Sequence, residues 1–266
     1  MKVVICAIAK NEHLYINEWV NYYLKLGFDK IYLYDNDDLD AERVENFIDS
    51  DLLDRVEIVD YRGVKRHHLQ HYVYNSFYHK QKDNFDWVLF VDIDEFLVGI
   101  DNIKDFLKKP VFRWFDQIRF KWRLFGDDNI IERDTTQPVF GAFTKVITNN
   151  PKSNQTKCMI RGGLRNILIN SCHYVKWSNS CYPSGKPCSA TEISLNNYKG
   201  EKIFVNHYMT KSLAEFVDQK LNRGDAVWEN RDITLDYFWQ INEKTVEKIQ
   251  FLEKRGIKNG KNKREI

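Results

Sequence analysis

The chain has 266 residues, of which 43% are hydrophobic and 14% aromatic, enough to bury the core of one large globular domain. Its 40 basic and 38 acidic residues leave a formal charge of +2, so no overall positive field favours nucleic acid as a partner. We predict a cytoplasmic protein, because no signal-peptide pattern precedes the first apolar segment and no apolar run reaches the ~20 residues that span a bilayer.

The first hundred residues alternate between apolar segments of strand type and amphipathic helical segments. The run VVICAIA predicts a strand at 3–9, and apolar residues spaced by three and four then predict a helix that Asn11 caps and Gly27 stops. Further strands are predicted at 29–37, 55–61 and 87–97, with helices at 41–49 and 67–80 between them. This βα alternation predicts an α/β fold with a Rossmann-like, largely parallel sheet and helices on both faces.

The second half of the chain has a weaker pattern. Apolar residues alternate over 115–128, as in a half-buried strand or one of mixed direction. Residues 147–200 are rich in Asn, Ser, Lys, Gly and Pro, which predicts loops and short strands along the wall of a cleft. A last helical stretch begins near residue 211.

Three carboxylates interrupt the apolar segment FDWVLFVDIDEFL at 85–97. In a strand, Asp92 and Asp94 would point the same way and Glu95 the opposite way. Ligands of parallel sheets bind beyond the carboxyl ends of the strands, and paired carboxylates there form half of a site for Mg²⁺ or Mn²⁺. The alternatives are an acidic surface turn or a helix cap, but the position after a buried strand favours a metal that bridges substrate phosphates.

Four segments of the sequence carry a family resemblance. They are AIAKNEHLYINEWVNYYLKLGFDKIYLYDNDDLD, WVLFVDIDEFL, IRFKWRLFGDD and VNHYMTKSLAEFVDQKLNRG. In this order they resemble the glycosyltransferases of the GT-A superfamily, closest to family 92 and the related family 2 enzymes. The resemblance implies a GT-A type fold and an inverting, metal-dependent transferase that uses Mn²⁺ or Mg²⁺. Its donor would be a nucleotide sugar, with UDP-hexoses favoured, and its acceptor a glycan or a lipid-linked saccharide.

The same resemblance implies roles for individual residues. The metal motif and its late histidine ligand match Asp92, Asp94 and His207, with Asp92 also close to the diphosphate. The nucleotide pocket matches Asn11, Glu12 and Asp35, and the candidates for diphosphate contacts are Lys211, Lys220 and Arg223. Ordinary structural explanations stay open, since a lone histidine after a strand is often part of the core and cations on a helix are often solvated.

An inverting transfer also needs a base for the acceptor hydroxyl. The segment FGDDNIIERD predicts a loop at the cleft, and Asp128 is our first candidate for the base, with Glu95 as the second. Asp127 and Asp128 also suit a simple turn after Gly126. Candidates for stacking on acceptor sugars, or else for the core, are Trp122, Trp177, Tyr182 and Trp228.

The resemblance suggests a division of the chain: a nucleotide-sugar-binding half at 1–110, an acceptor-side half of the same domain at 111–240, and a helix with a basic tail at 241–266. The tail is either solvated or in peripheral contact with the inner face of an anionic membrane. Two other functions stay open. A HAD-like phosphohydrolase with Asp92 as nucleophile would carry its DxD on the first strand, whereas a non-catalytic carbohydrate-binding protein would have no need of one.

Overall fold

The computed structural model describes residues 1–191, 198–221 and 233–257. Eleven strands form one connected sheet, and six α-helices accompany them in this part of the chain. In chain order the elements are β1 (Val3–Ala9), α1 (Ile16–Lys25), β2 (Lys30–Asp35), β3 (Val56–Asp60), α2 (Leu69–Gln81), β4 (Trp87–Phe90), β5 (Glu95–Val98), α3 (Ile103–Leu107), β6 (Gln117–Phe125), β7 (Val146–Ile147), β8 (Thr156–Arg161), β9 (Ser180–Cys181), β10 (Pro187–Cys188), β11 (Phe204–His207), α4 (Leu213–Glu215), α5 (Leu235–Trp239) and α6 (Val246–Lys254).

The main sheet has the order β10–β9–β6–β8–β4–β1–β2–β3. Strands β3, β2, β1 and β4 are parallel, and β8 is antiparallel to both β4 and β6. It follows that β6 runs in the same direction as β1 and β4, so the carboxyl ends of these strands lie at one edge of the sheet. We call this the carboxyl edge. Strand β11 lies outside this order and pairs with β5 and with β6.

Helices cover both faces of the sheet. Residues Val3 and Ile5 of β1 lie in the same apolar cluster as Trp19 of α1. Val4 and Cys6, which alternate with them, lie in a second cluster with α2. Because successive side chains of a strand point to opposite faces, α1 and α2 must lie on different sides of β1. The predicted fold class, an α/β fold with helices on both faces of a largely parallel sheet, is confirmed.

Several predicted element ends need correction. Helix α1 begins at Ile16 rather than after Asn11, whose φ of 53° is left-handed and no part of a cap. Gly27 does end this helix, with a φ of +101° that favours glycine. The helix predicted at 41–49 is only a 3₁₀ turn, Val44–Phe47, because a segment this short gains little from helical hydrogen bonds without packing.

The segment 87–97 was predicted as one strand, but the structure divides it into two. Strand β4 ends at Phe90, and β5 begins at Glu95 and pairs with β11 instead. A tight turn separates them, in which the N–H of Asp92 donates to Glu95 Oε2 at 2.8 Å and the N–H of Glu95 donates to Asp92 O at 3.1 Å. The alternation expected for Asp92, Asp94 and Glu95 was therefore wrong.

The sheet is continuous across residue 110, since β8 lies between β4 and β6. The predicted halves thus share one sheet. Within the described residues no helix is long and apolar enough to cross a bilayer. Arg223, Trp228 and the basic tail from residue 258 lie outside the part of the chain that the structure describes.

Candidate functional site

The turn between β4 and β5 places three carboxylates at the carboxyl edge. The side chain of Asp92 is 31% exposed, whereas that of Asp94 is 6% exposed and that of Glu95 is fully buried. One indole and one phenol hold the backbone of this turn. Trp19 Nε1 donates to Asp92 O at 2.9 Å, and Tyr23 OH donates to Glu95 O at 2.9 Å. The hydrophobic face of α1 therefore also positions the turn.

A buried lysine that the sequence analysis missed faces this turn. Lys157 Nζ, on β8, lies 2.7 Å from Asp92 Oδ2 and 3.2 Å from Glu95 Oε2, and its side chain is fully buried. Gln70 Nε2, at the start of α2, donates to Asp92 Oδ1 at 2.7 Å. Both oxygens of Asp92 therefore have partners. Lys157 stands in a short strand, where nothing in the sequence indicates which carboxylate will meet it.

Asp94 has different partners. Its Oδ2 lies 2.6 Å from Lys220 Nζ, and its Oδ1 lies 3.3 Å from Nε2 of His207, the last residue of β11. The other ring nitrogen, His207 Nδ1, lies 3.6 Å from Glu95 Oε1. Neither of these last two atoms has a hydrogen-bond partner among the described residues. Asp94, His207 and Glu95 therefore form a buried row at the centre of the site.

Burial and the neighbouring lysines together set the pKa values of the acids in this row. Burial would raise the pKa of Asp94, but Lys220 and His207 outweigh it and hold that pKa well below its usual range. For Glu95 burial wins, and its pKa is raised well above the ordinary value. Burial also acts on Lys157, yet the Asp92 carboxylate keeps the pKa of this lysine high. Lys157 and Lys220 thus act as fixed counterions for the two aspartates.

The loop after β1 lies beside this cluster. Asn11, at a φ of 53°, donates through Nδ2 to Gln219 O at 3.3 Å. Its backbone N–H and His13 Nε2 both contact Asp37, at 2.5 and 2.8 Å. Glu12 is buried, and its Oε2 lies 3.9 Å from Lys211 Nζ. The structure thus brings the predicted residues Asn11 and Glu12 against the segment that carries Lys211 and Lys220.

Asp35 ends β2 at the same edge but faces inward. Its side chain accepts the N–H of Asp37 at 3.0 Å, and burial raises its pKa. Asp37, two residues further on, is the carboxylate that meets the β1 loop. The sequence YDNDD contained this residue, but both Asp35 and Asp37 are buried, and only the fold distinguishes which of them meets the β1 loop.

A short helix delivers Lys220. Ser212 and Glu215 form a capping box at the start of α4, and Arg133 Nη2 binds Glu215 Oε1 at 2.8 Å. The helix continues as a π-helical turn over Phe216–Lys220. Such turns are uncommon and occur often at functional sites, because they redirect a side chain out of the regular helical path. Here the redirected side chain is the one that reaches Asp94.

Comparison with known proteins decides the family. The sequence matches glycosyltransferase family 92 over residues 2–250. The chain belongs to this family. A glycosyltransferase family 92 protein of Oryza sativa subsp. japonica is 26% identical over 185 residues, which cover 64% of this chain and 29% of that protein. The chain therefore spans less than a third of that relative's length.

Among solved structures, S. aureus TarS is similar to this family 92 chain with a TM-score of 0.35 and 17% identity, over 50% of this chain and 24% of TarS.

The donor atoms of the family 92 site fit a divalent metal in part. Asp94 Oδ1 and His207 Nε2 lie 3.3 Å apart, a separation that suits two ligands of one ion at about 2.1 Å from each. In the described ranges no three His, Cys, Asp or Glu side chains converge on one metal position. Asp92, which was also predicted as a ligand, turns towards Lys157 and Gln70. Two protein ligands would leave the remaining positions of an ion to water and substrate oxygens.

The two candidates for the base lie in constrained positions. The carboxylate of Asp128 accepts hydrogen bonds from Thr144 N at 2.6 Å, Thr144 Oγ1 at 2.8 Å and Lys145 N at 2.9 Å. These contacts tie the loop to the segment at 144–145, whereas the local turn contact is that of Asp127, whose Oδ1 accepts from Asn129 N at 3.0 Å. Glu95 is fully buried and contacts Lys157, so in the family 92 site it pairs with this lysine and is not exposed to an acceptor.

Proposed function

We propose that this family 92 chain is a metal-dependent glycosyltransferase that moves a hexose from a UDP-sugar to a saccharide acceptor with inversion. The observation that carries the proposal is the pair formed by Asp94 and His207 at the carboxyl edge, where parallel sheets bind their ligands. Family membership favours this activity over the phosphohydrolase and the non-catalytic binding protein that the sequence left open.

The residues around the pair suit a bound nucleoside diphosphate. Lys220 is within 2.6 Å of Asp94, and Lys211 lies close by against Glu12. A bound Mn²⁺ or Mg²⁺ would supply Lewis-acid stabilisation of the leaving diphosphate. When the negative diphosphate enters, Lys220 can leave Asp94 for a phosphate oxygen without passing through an unpaired state. The loop with Asn11 and Asp37 then borders the space for the nucleoside.

The test is binding and slow hydrolysis of a panel of nucleotide sugars, each with and without Mn²⁺. The wild type should bind and turn over a UDP-hexose only with the metal, and Asp94→Ala should lose turnover by about a thousandfold or more, the scale of an electrostatic catalytic group. Asp105→Ala is the matched control, because this aspartate is exposed and pairs with Lys108. A wild type that binds no donor with any metal would contradict the proposal.

A further inference from the structure

Two exposed tryptophans lie at the edge of the sheet opposite the carboxylates. The side chain of Trp177 is 90% exposed and that of Trp114 is 66% exposed. Tryptophan is highly buried on average in folded proteins, so a pair of bare indoles calls for an explanation. Trp177 also has a left-handed backbone with a φ of 56°, which is uncommon for a bulky residue. Large exposed apolar groups of this kind mark interaction surfaces.

The two tryptophans belong to one surface. Strands β6 and β9 are parallel, with Gln117 opposite Ser180, and each tryptophan comes three residues before its strand. The loops that carry them are joined by hydrogen bonds, in which Asn179 O accepts from Asp116 N at 2.8 Å and Asn179 N donates to Asp116 Oδ2 at 3.0 Å. Both rings therefore leave the sheet at its amino edge from neighbouring strands.

Basic side chains surround the rings. Lys109, Arg113 and Lys176 are exposed, and the Arg113 guanidinium lies 4.7 Å from the centre of the Trp114 ring. We call these three residues with Trp114 and Trp177 the tryptophan surface. Of the adjacent acids, Asp105 pairs with Lys108 at 2.7 Å, and Asp116, which accepts from Asn179 N, leaves one negative charge against the three cations. The surface is therefore both aromatic and positively charged.

This position separates Trp177 from the proposed transfer site. Strand β6 has nine residues and is about 26 Å long. Trp177 comes just before the strand that starts beside Gln117, whereas His207 lies opposite Leu124, near the other end of β6. This separation argues against the sequence-based hypothesis that Trp177 stacks on the acceptor. Trp122 lies close to the site, with its ring centre 4.4 Å from that of His207, but it is buried.

We propose that the tryptophan surface docks the protein on the interface of an anionic phospholipid bilayer. Indoles prefer the headgroup level of a bilayer, and anionic headgroups attract lysine and arginine near the surface. A second copy of the chain would bring like charges together, and a neutral glycan would gain nothing from the three cations. Docking in this way turns the carboxyl edge away from the lipid, towards acceptors in the aqueous phase.

The experiment is co-sedimentation of the full chain with vesicles of equimolar phosphatidylcholine and phosphatidylglycerol. The wild type should bind these vesicles, bind pure phosphatidylcholine weakly, and lose binding as salt is added. The double variant Trp114→Ser/Trp177→Ser should bind about tenfold less or weaker still. Arg113→Gln/Lys176→Gln should lose about fivefold for each charge removed. All these positions are exposed, so the melting temperature should stay that of the wild type.

Tyr72→Ser is the matched control. Tyr72 is also an exposed aromatic residue, with the Arg66 guanidinium 3.8 Å from its ring, but it lies on α2 near the carboxyl edge. This variant should bind vesicles like the wild type. As a second measurement, brominated lipids should quench wild-type tryptophan fluorescence, and Trp114→Phe/Trp177→Phe should remove the quenching.

Three outcomes would overturn the proposal. In the first, the wild type does not bind anionic vesicles. In the second, the tryptophan variants bind the vesicles as tightly as the wild type does. In the third, the tryptophan surface mediates dimers or binds a glycan instead of lipid. Binding retained in the tryptophan variants would place the contact elsewhere, as in the basic tail. These measurements use no nucleotide sugar, so their result is separate from that of the transferase test.

Discussion

At the scale of single residues, Lys220 is a counterion in the place where a metal would bind. Lys220→Met should raise the affinity for Mn²⁺, measured without nucleotide, by about tenfold, or 1.4 kcal/mol. The reason is that the lysine ammonium no longer competes with Mn²⁺ for the Asp94 carboxylate. The same variant should be less stable without metal, since it leaves a buried carboxylate unpaired, and Mn²⁺ should restore that stability. Calorimetric titration and thermal melting measure the two effects.

Lys108→Met provides the control for this change. Lys108 pairs with Asp105 at 2.7 Å, as Lys220 pairs with Asp94, but both partners are largely exposed. Exposed pairs contribute little, so this variant should change neither metal affinity nor stability. An unchanged or weaker Mn²⁺ affinity in Lys220→Met would show that the lysine and the metal do not share a position.

His173 should make the folded state sensitive to mild acid. Burial and the nearby Lys157 lower the pKa of His173 to about 4, against about 6.5 for an unfolded histidine. Between these pH values the unfolded chain binds a proton at His173 that the folded chain does not bind. The contribution of neutral His173 to the free energy of unfolding is therefore complete above pH 7. The contribution should fall by up to about 1.4 kcal/mol per pH unit as the pH drops from 6.5 towards 4.

Denaturant unfolding at several pH values measures this effect. His173→Gln should unfold with a smaller loss of stability between pH 7 and about 5 than the wild type. His79→Gln, on the exposed side of α2, should keep the wild-type slope. Equal slopes in all three proteins would mean that the pKa of His173 is the same in the folded and the unfolded state, which would contradict the prediction.

At the scale of elements, the capping box of α4 links stability to the site. Ser212→Ala removes the acceptor of the Glu215 N–H and should cost about 1 kcal/mol of stability. It should also weaken donor binding, because α4 and its π-helical turn carry Lys220. Asn102→Ala removes a similar cap, with Asn102 Oδ1 accepting from Lys104 N at 2.9 Å, on a helix that carries no residue of the site. Its cost in stability should be similar, but donor affinity should not change.

These two variants separate positioning from general stability. Thermal melting and titration with UDP and Mn²⁺ measure the two quantities on each protein. If Asn102→Ala weakens UDP binding as much as Ser212→Ala does, the effect is only one of overall stability. A gain of donor affinity in Ser212→Ala would instead mean that the capped helix restrains the site.

At the scale of the whole molecule, the sequence predicted the parallel half of the fold better than the site. Apolar runs such as VVICAIA predict buried strands because burial on both faces needs no other information. The turn at Asp92–Asp94 was predicted as strand, since the residues that stabilise it are distant in sequence. Asp94 with His207 followed from a family resemblance, whereas Lys157 could not be predicted, because pairing β8 beside β4 is a property of the topology.

The continuous sheet predicts that the two halves fold as one unit. A fragment of residues 1–110 would leave the edge of β4 unpaired, where Leu89 now lies opposite Met159. It would also leave Asp92 and Glu95 without Lys157. We expect this fragment to give the poorly dispersed amide spectrum of an unfolded chain. The full chain should unfold in one transition that UDP with Mn²⁺ shifts as a whole, by about 2.7 kcal/mol at a hundred times the Kd. A fragment 1–110 that folds cooperatively by itself would contradict this coupling and make the predicted boundary near residue 110 a true domain boundary.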